Sequence, residues 1–554
     1  VPLAGLLVAA TLIVYVPALR AGFIWDDDAH VTENPTLTSL AGLRAIWLDP
    51  TALPQYYPLV HSTFWVERHL WGLDPLGYHL SNVLLHAANA LLLWTVLEAL
   101  SVPGAWLAAF LFALHPVHVE SVAWVTERKN VLSGFFYLAA AFCCLRFYGL
   151  HQSAARAQAD RSTRDWRWYA FGAALFLCAL LSKTVTASLP VALLIVLWWK
   201  RGRIAWRDVA PLIPLVVVGA CFGLLTVWLE KHHVGAQGDP WDLTPLGRCL
   251  LAGRILWFYA GKLAWPAQLL FVYPRWRVDP SQGWTYLFPL GAAAVVAGAL
   301  ALRRRIGRGP LAAILFFAVT LVPALGFFNV FPMVYSWVAD HFQYLASAGP
   351  IALFAAAVAT AAARLSRGPG RAVVATAALA PVFLGALTWH QCHIYKDAET
   401  LWRDTLARNP SAWMAHSNLG SILYVRGDDA QAAPHLRQAL DVIPLHANSH
   451  FTLARALMNL GRLDEAAALC REELTVWPSD ERTLENLGLV ALLRGDKETA
   501  AKWFYETIRL HPDSATAHAN LADILAAQGR VKEASEQSAE VARIVAATGI
   551  RQAR

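Results

Sequence analysis

Long apolar runs separated by short polar connectors fill the first 390 residues of the chain. They lie at Val1 to Leu19 and near 78–98, 103–119, 131–148, 168–182, 185–199, 209–229, 285–302, 311–330, 345–363 and 372–389. Runs of this length and polarity predict about eleven transmembrane helices. The first is long for a signal-peptide core and lacks a clear cleavage site, so it is read as a retained span. A further stretch, 246–273, is apolar but carries Arg248, Arg254, Lys262 and Pro266. It is expected to be an interfacial or re-entrant helix.

Beyond about residue 390 the pattern becomes amphipathic with a helical period. Pro410, Pro444, Pro478 and Pro512 recur every 34 residues, and Gly427, Gly461, Gly495 and Gly529 keep the same step. Ala432, Ala466, Ala500 and Ala534 repeat it again, as do the small residues Gly420, Ala454, Gly488 and Ala522. Small residues where helices cross, glycine at the turn and proline at the end resemble the tetratricopeptide repeat. The chain therefore divides into a membrane domain at 1–390, a linking helix at 391–410, four repeats at 411–546 and a tail at 547–554. Asn418, Asn486 and Asn520 share one register, with Thr452 in the remaining slot. Such amides either hydrogen-bond a peptide in the array or are simply common at this helix position.

Four connectors are rich in basic residues: Arg156, Arg161 and Arg164; Lys200, Arg201, Arg203 and Arg207; Arg303, Arg304, Arg305 and Arg308; Arg364, Arg367 and Arg371. By the positive-inside rule all four face the cytoplasm. With an odd number of spans, the repeats and the loops 20–77, 115–130, 230–284 and 331–344 fall on the outer face of an inner (plasma) membrane.

Composition agrees with a membrane protein. Of 554 residues 57% are hydrophobic and only 15% charged, less charge than a soluble chain of this size carries. The net charge of +7 is scattered in short clusters, which gives no support to nucleic-acid binding. Seven cysteines show no CxxC spacing, so neither a disulfide framework nor a thiolate metal site is implied.

The outer loops hold the unusual polar residues. Asp26, Asp27 and Asp28 follow the first span, and acids packed this closely raise at least one pKa, as a general base or a metal site requires. His115-Pro116-Val117-His118-Val119-Glu120 precedes Glu127-Arg128-Lys129 between two spans. Pro116 should break the incoming helix. Arg128 and Lys129 could hold a phosphate, and His118 with Glu120 could orient an attacking group or a metal. Lys183 is either a snorkelling anchor or a phosphate ligand. Asp340 and His341 open a later span. Cations beside carboxylates at a membrane face suit transfer from a lipid-linked phosphosugar. A carboxylate deprotonates an acceptor hydroxyl, and positive charge stabilises the departing lipid phosphate. No Walker or dinucleotide loop is present, and this chemistry needs none.

These motifs together resemble the transmembrane and TPR repeat-containing family of O-mannosyltransferase-like proteins. The run Leu114 to Ala123 carries the family's His-Pro-x-His-x-Glu-x-Val pattern, and Phe23-Ile24-Trp25-Asp26-Asp27 its paired acids. Leu181-Ser182-Lys183, Trp265-Pro266 to Tyr273-Pro274 and Asp340 to Tyr344 look like further landmarks. The resemblance implies an all-α GT-C glycosyltransferase fold followed by a tetratricopeptide solenoid. It implies transfer of a sugar, mannose by the family's name, from a polyprenyl- or dolichyl-phosphate donor to a protein hydroxyl, with the repeats recruiting the acceptor. Asp26 and Asp27 then correspond to the catalytic pair, and Arg128, Lys129, Lys183 and His341 to donor-phosphate ligands. Asp28, His115, His118, Glu120, Glu127, Asp340 and Tyr344 would support the site, and Asn418, Asn486 and Asn520 would contact peptide. His341 stands where relatives more often carry arginine, and Thr184 where animal members tend to have glutamate. Metal dependence varies within this fold, so no metal or other cofactor is assigned. A lipid or envelope-glycan acceptor, or a non-enzymatic scaffold, are the alternative readings.

Overall fold

A computed structural model describes residues 2–150, 164–238, 241–444 and 446–548. Among these residues the chain is helical without strands, and it separates into two compact units, Val1–Leu401 and Trp402–Arg554. Arg156 and Arg161 of the first basic connector lie outside the described residues.

In the first unit, each predicted apolar run falls on a helix. Six helices are long and apolar enough to cross a membrane: Pro75–Ala99, Val125–Phe147, Thr184–Arg201, Trp206–Val234, Gly283–Ile306 and Gly368–Tyr395. Ala105–Leu114 and Pro116–Ala123 make a seventh if taken as one span bent by 54°. The bend sits at Pro116, as the sequence predicts, because proline lacks the N–H that would continue the ladder. Four shorter apolar helices account for the other runs: Pro2–Val14, Trp166–Ser182, Gly309–Ala324 and Ala348–Arg364. The first is shorter than expected. Pro17 cannot donate to Ile13, whose carbonyl is taken instead by the Val16 N–H at 3.2 Å, and the helix tightens there. This unit is an integral membrane domain.

The awkward stretch 246–273 splits. Pro245–Ala264 is a helix, capped by the Thr244 hydroxyl on the Gly247 N–H, and an extended segment follows. Its buried face, with Leu251, Ile255 and Tyr259, packs against Leu321, Trp337 and Tyr273.

The second unit is a tetratricopeptide array. First helices begin at Trp413, Ala447, Glu481 and Ala515, and second helices at Asp429, Leu463, Lys497 and Val531, in steps of 34. Gly427, Gly461, Gly495 and Gly529 make the turns at φ of +84°, +72°, +81° and +76°, a region that residues with a Cβ adopt only with strain. At Gly488 the helices close so tightly that a Cβ would meet the Phe504 ring at 2.6 Å. A carrier of the repeat pattern not foreseen is histidine. His416 and His518 each bond the proline carbonyl six residues back, Pro410 at 3.0 Å and Pro512 at 3.1 Å, and His450 does the same to Pro444.

Candidate functional site

Trp25 sets up the acid loop. Its φ of +45° lies in the left-handed region, which costs a bulky residue about 1–3 kcal/mol and persists only where surroundings enforce it. The enforcement is aromatic. The indole packs on Trp124 at 5.3 Å, Phe271 at 5.5 Å and Tyr335 at 5.8 Å between ring centroids. Asp26 and Asp27 are thereby turned toward the 3-10 turn Val125–Glu127, which leads into helix Arg128–Phe147.

The two acids differ sharply. Asp27 is 0% exposed, and both its oxygens are occupied. Oδ2 accepts from the Ile24 N–H at 2.9 Å, while Oδ1 accepts from the Thr126 N–H at 2.8 Å and from the Thr126 hydroxyl. Asp26 keeps 27% of its side chain exposed; its Oδ1 is buried and accepts no hydrogen bond of full geometry from a described residue, although the Trp124 and Thr126 donors lie close enough to stabilise its charge. Burial pushes the Asp26 carboxyl up to about 6; Lys129 opposes the rise and Glu127 adds to it. Burial, then the neighbouring Asp26 charge, pushes Asp27 up to about 7. Asp28 is exposed and accepts only from the Thr32 hydroxyl, one turn on, at 2.9 Å.

Behind Asp26 runs a chain of imidazoles, of which the sequence reading weighed only His61, as an individually weak loop histidine, and did not name His30. His30 Nε2 lies 3.7 Å from Asp26 Oδ2, His30 Nδ1 lies 3.1 Å from His61 Nε2, and His61 Nδ1 lies 3.1 Å from the Tyr57 carbonyl. A carbonyl only accepts, so His61 donates from Nδ1 and accepts at Nε2. His30 must then donate from Nδ1, which leaves the Nε2 lone pair facing Asp26. Burial holds both rings below the ordinary histidine range, His61 at about 4.

Glu127 is the centre of the charged group. Lys129 Nζ approaches Oε1 at 2.9 Å, and Lys183 Nζ lies 3.3 Å from Oε2 and 2.7 Å from Asn130 Oδ1. Two ammonium groups thus share one carboxylate. Lys129 also lies over the Trp124 ring at 5.6 Å. His341 sits between acids, with Nδ1 3.0 Å from Glu120 and Nε2 3.8 Å from Glu127. Asn130 ties the group together, donating to Glu127, Ser121 and the His341 carbonyl. Asp340 is buried and accepts from the Tyr273 hydroxyl at 3.0 Å; burial holds its carboxyl well above the usual range, with Glu120 reinforcing the effect.

Other predicted residues lie elsewhere. Arg128 is 1% exposed and held on the far side of its helix turn: its guanidinium pairs with Glu67 at 2.9 Å and donates to Asn82, Thr63 and the Tyr78 carbonyl. This pairing holds it as a packing clamp, apart from the acid group beside which the sequence reading placed it as a phosphate ligand. The reason is geometric, since neighbours on a helix point about 100° apart and only Lys129 can face the acids. His118 bonds the Phe112 carbonyl at 2.7 Å and the Ser347 hydroxyl at 2.9 Å, and Tyr344 bonds His86 and Asn89. Both belong to a buried polar core rather than to the acid group. His115 bonds the Leu263 carbonyl at 3.1 Å.

In the repeats, Asn418 and Asn520 donate to Met414 and Thr516 of their own helices, each at 2.8 Å. Asn486 is 1% exposed, and neither amide atom is bonded to another described residue. Among the described residues, no three His, Cys, Asp or Glu side chains converge as a metal-binding set.

Fold and site together define a polytopic helical membrane protein that carries a helical repeat array. The array matches the tetratricopeptide repeat family over residues 395–443, 430–481, 451–514 and 505–547. The chain is similar to the human protein O-mannosyl-transferase TMTC1, at 26% identity over 520 residues, 84% of this chain and 57% of the relative. Mouse protein O-mannosyl-transferase TMTC2 is 27% identical over 263 residues, 45% of this chain and 28% of the relative. Xenopus laevis protein O-mannosyl-transferase tmtc2 is 34% identical over 149 residues, 25% of this chain and 18% of the relative. These matches bear out the resemblance to the transmembrane and TPR repeat-containing family. The aligned regions span 18% to 57% of those relatives' own lengths. Among solved structures, MamA from Desulfovibrio magneticus is similar over 27% of this chain and 84% of its own, at 17% identity and a TM-score of 0.25, too low to bear on the fold.

Proposed function

We propose that this chain is a glycosyltransferase of GT-C type, moving a sugar from a polyprenyl- or dolichyl-phosphate donor to a hydroxyl of a protein acceptor. The observation that carries the reading is Asp26: a part-exposed carboxyl with Lys129 nearby, next to Glu127, the counter-ion that Lys129 and Lys183 share. The relatives' name, protein O-mannosyl-transferase, supports a protein acceptor and mannose.

In this reading Asp26 takes the acceptor's hydroxyl proton as the oxygen attacks the anomeric carbon. The bond from that carbon to the phosphate oxygen breaks, and the lipid phosphate leaves with the electron pair. Lys183 and Lys129 stabilise the charge that develops there. Direct displacement inverts the anomeric centre. Asp27 positions rather than reacts, since each of its oxygens is bonded to backbone or to Thr126. The site faces outward from the plasma membrane, in keeping with the basic connectors on the other side, and the repeats present the acceptor.

The test uses the purified full-length chain, a polyprenyl-phosphate mannose donor and a hydroxyl-bearing peptide. Asp26→Asn should lower transfer by at least about a hundredfold with the fold intact. Full activity in that variant refutes the assignment of the base. Mass spectrometry of membrane and envelope proteins with and without the gene identifies the acceptor; loss of a glycolipid in place of glycopeptides would move it to a lipid.

A further inference from the structure

A second feature of the membrane unit lies away from the acids. Six helices line a half-open cavity of about 670 Å³, with Leu97, Leu145, Leu193, Phe316 and Ala356 among its walls, nearly all apolar. One end of it is different. Arg305, Arg308 and Arg364 line that end together, brought there from two separate basic connectors. None of the three side chains makes an ion pair or hydrogen bond with another described residue; the Arg308 guanidinium rests near the Trp198 ring, 5.9 Å from its centroid. Among the described residues, no carboxylate pairs with these cations.

An apolar slot with unpaired cations at its mouth is complementary to one kind of molecule, a lipid with an anionic headgroup. One wall runs along helix Ala348–Arg364, roughly 24 Å at 1.5 Å per residue, longer than the roughly 15 Å of a single leaflet's hydrocarbon. Its lining is small there, Ala352, Ala356, Ala357 and Ala361, so the width is left for a chain rather than filled by side chains. Basic pockets between membrane helices bind anionic headgroups on the face where such lipids are enriched. We propose that this cavity is a phospholipid site, holding an acyl chain along Ala348–Arg364 and a phosphodiester headgroup at Arg305, Arg308 and Arg364. The site is independent of the proposed transferase activity, and its cations lie at the opposite end of helix Ala348–Arg364 from Asp340 and His341.

Native mass spectrometry of the detergent-purified full chain, titrated with phosphatidylglycerol, phosphatidylcholine or undecaprenyl phosphate, tests it. Phosphatidylglycerol should bind at least about tenfold more tightly than phosphatidylcholine. Each arginine-to-glutamine change should weaken it about fivefold, and the triple variant R305Q/R308Q/R364Q about a hundredfold. The triple lysine variant should retain binding within a few-fold, and Ala356→Phe should abolish it by filling the slot, with the thermal midpoint confirming that each variant is folded. Equal binding of the two phospholipids, or unchanged phosphatidylglycerol binding in the triple glutamine variant, overturns the proposal. It is also overturned if Ala356→Phe removes only undecaprenyl phosphate, which would give the cavity to a donor chain.

Discussion

Replacing Arg128 with methionine separates a structural cation from a ligand. The guanidinium is almost completely buried against Glu67, Asn82, Thr63 and the Tyr78 carbonyl. Methionine keeps much of the volume but strands the Glu67 carboxylate, which is itself buried. Removing one partner of a buried pair costs about 3–5 kcal/mol. Unfolding entropy of about 2.1 cal/mol/K per residue gives roughly 0.8 kcal/mol/K over the 401 residues of the membrane unit. The midpoint should therefore fall by about 4–6 °C. Scanning fluorimetry in detergent measures it, with all variants at one scan rate because unfolding of such a protein is irreversible. The double variant Arg128→Met/Glu67→Met should regain most of the loss, since replacing both partners removes the stranded charge. Donor affinity in the folded fraction should stay within about twofold. An Arg128→Met protein as stable as its parent, but with donor binding lost, would refute the clamp and restore Arg128 to the phosphate.

Three further outcomes follow from the same geometry. The folded-state pKa of Asp26 and of Asp27 lies above the unfolded value, at about 6 and about 7, so the stability these acids contribute is complete below about pH 4 and lost as pH rises through that window. The thermal midpoint should fall between pH 5 and pH 8, and less steeply in Asp26→Asn; parallel curves for the two proteins would contradict the shift. His30→Gln, which removes the lone pair facing Asp26, should reduce transfer about tenfold and alter the acid limb of its pH profile. A rate loss with an unaltered profile would mean that His30 only packs. Gly488→Leu drives a side chain into the Phe504 ring and should cost the array about 1–3 kcal/mol, read as faster hydrogen exchange across 481–510 in the full chain. Unchanged exchange there would show that the repeat yields without cost.

What the sequence disclosed depended on periodicity. Apolar run length located the apolar helices of the membrane unit but not Leu40–Leu48 and Pro58–Trp71, which lie in the stretch read as a loop, and the step of 34 located the repeats, since both are one-dimensional signals. The break at Pro116 was legible because it is a covalent property of proline. The site was legible only as a set of residues. Glu127-Arg128-Lys129-Asn130 advertises two cations, yet the turn of a helix sends Arg128 to Glu67 and Lys129 to Glu127, and nothing local says which goes where. Asn130 carries no charge and drew no attention, although it joins Glu127, Lys183 and His341. His118 and Tyr344 fit an active-site motif equally well as members of a buried hydrogen-bonded core. His30 and His61 stand 31 residues apart in an ordinary loop, and only the fold reveals their contact.

The adjacent acids pose the deeper question of why two carboxylates occupy a place where one base suffices. The Asp26 charge raises the pKa of Asp27, and burial raises both, so a pair in identical surroundings would share protons without direction. The loop prevents that. Asp27 receives three hydrogen bonds, two of them from Thr126, and these fix the backbone of the acid loop to the turn that begins helix Arg128–Phe147. The strained Trp25 aims the preceding residue the same way and is held by rings from three other segments. Asp26 is left as the part-exposed acid, with one cation nearby in Lys129 and one proton acceptor behind it in His30. Asp27 thus acts through position, and exchanging the two environments would require moving Thr126, which the helix start forbids. It follows that Asp27→Asn should disturb the loop even though asparagine is nearly isosteric. An amide can accept at its oxygen, but its NH₂ would face the Ile24 or Thr126 N–H, replacing a hydrogen bond with two opposed donors.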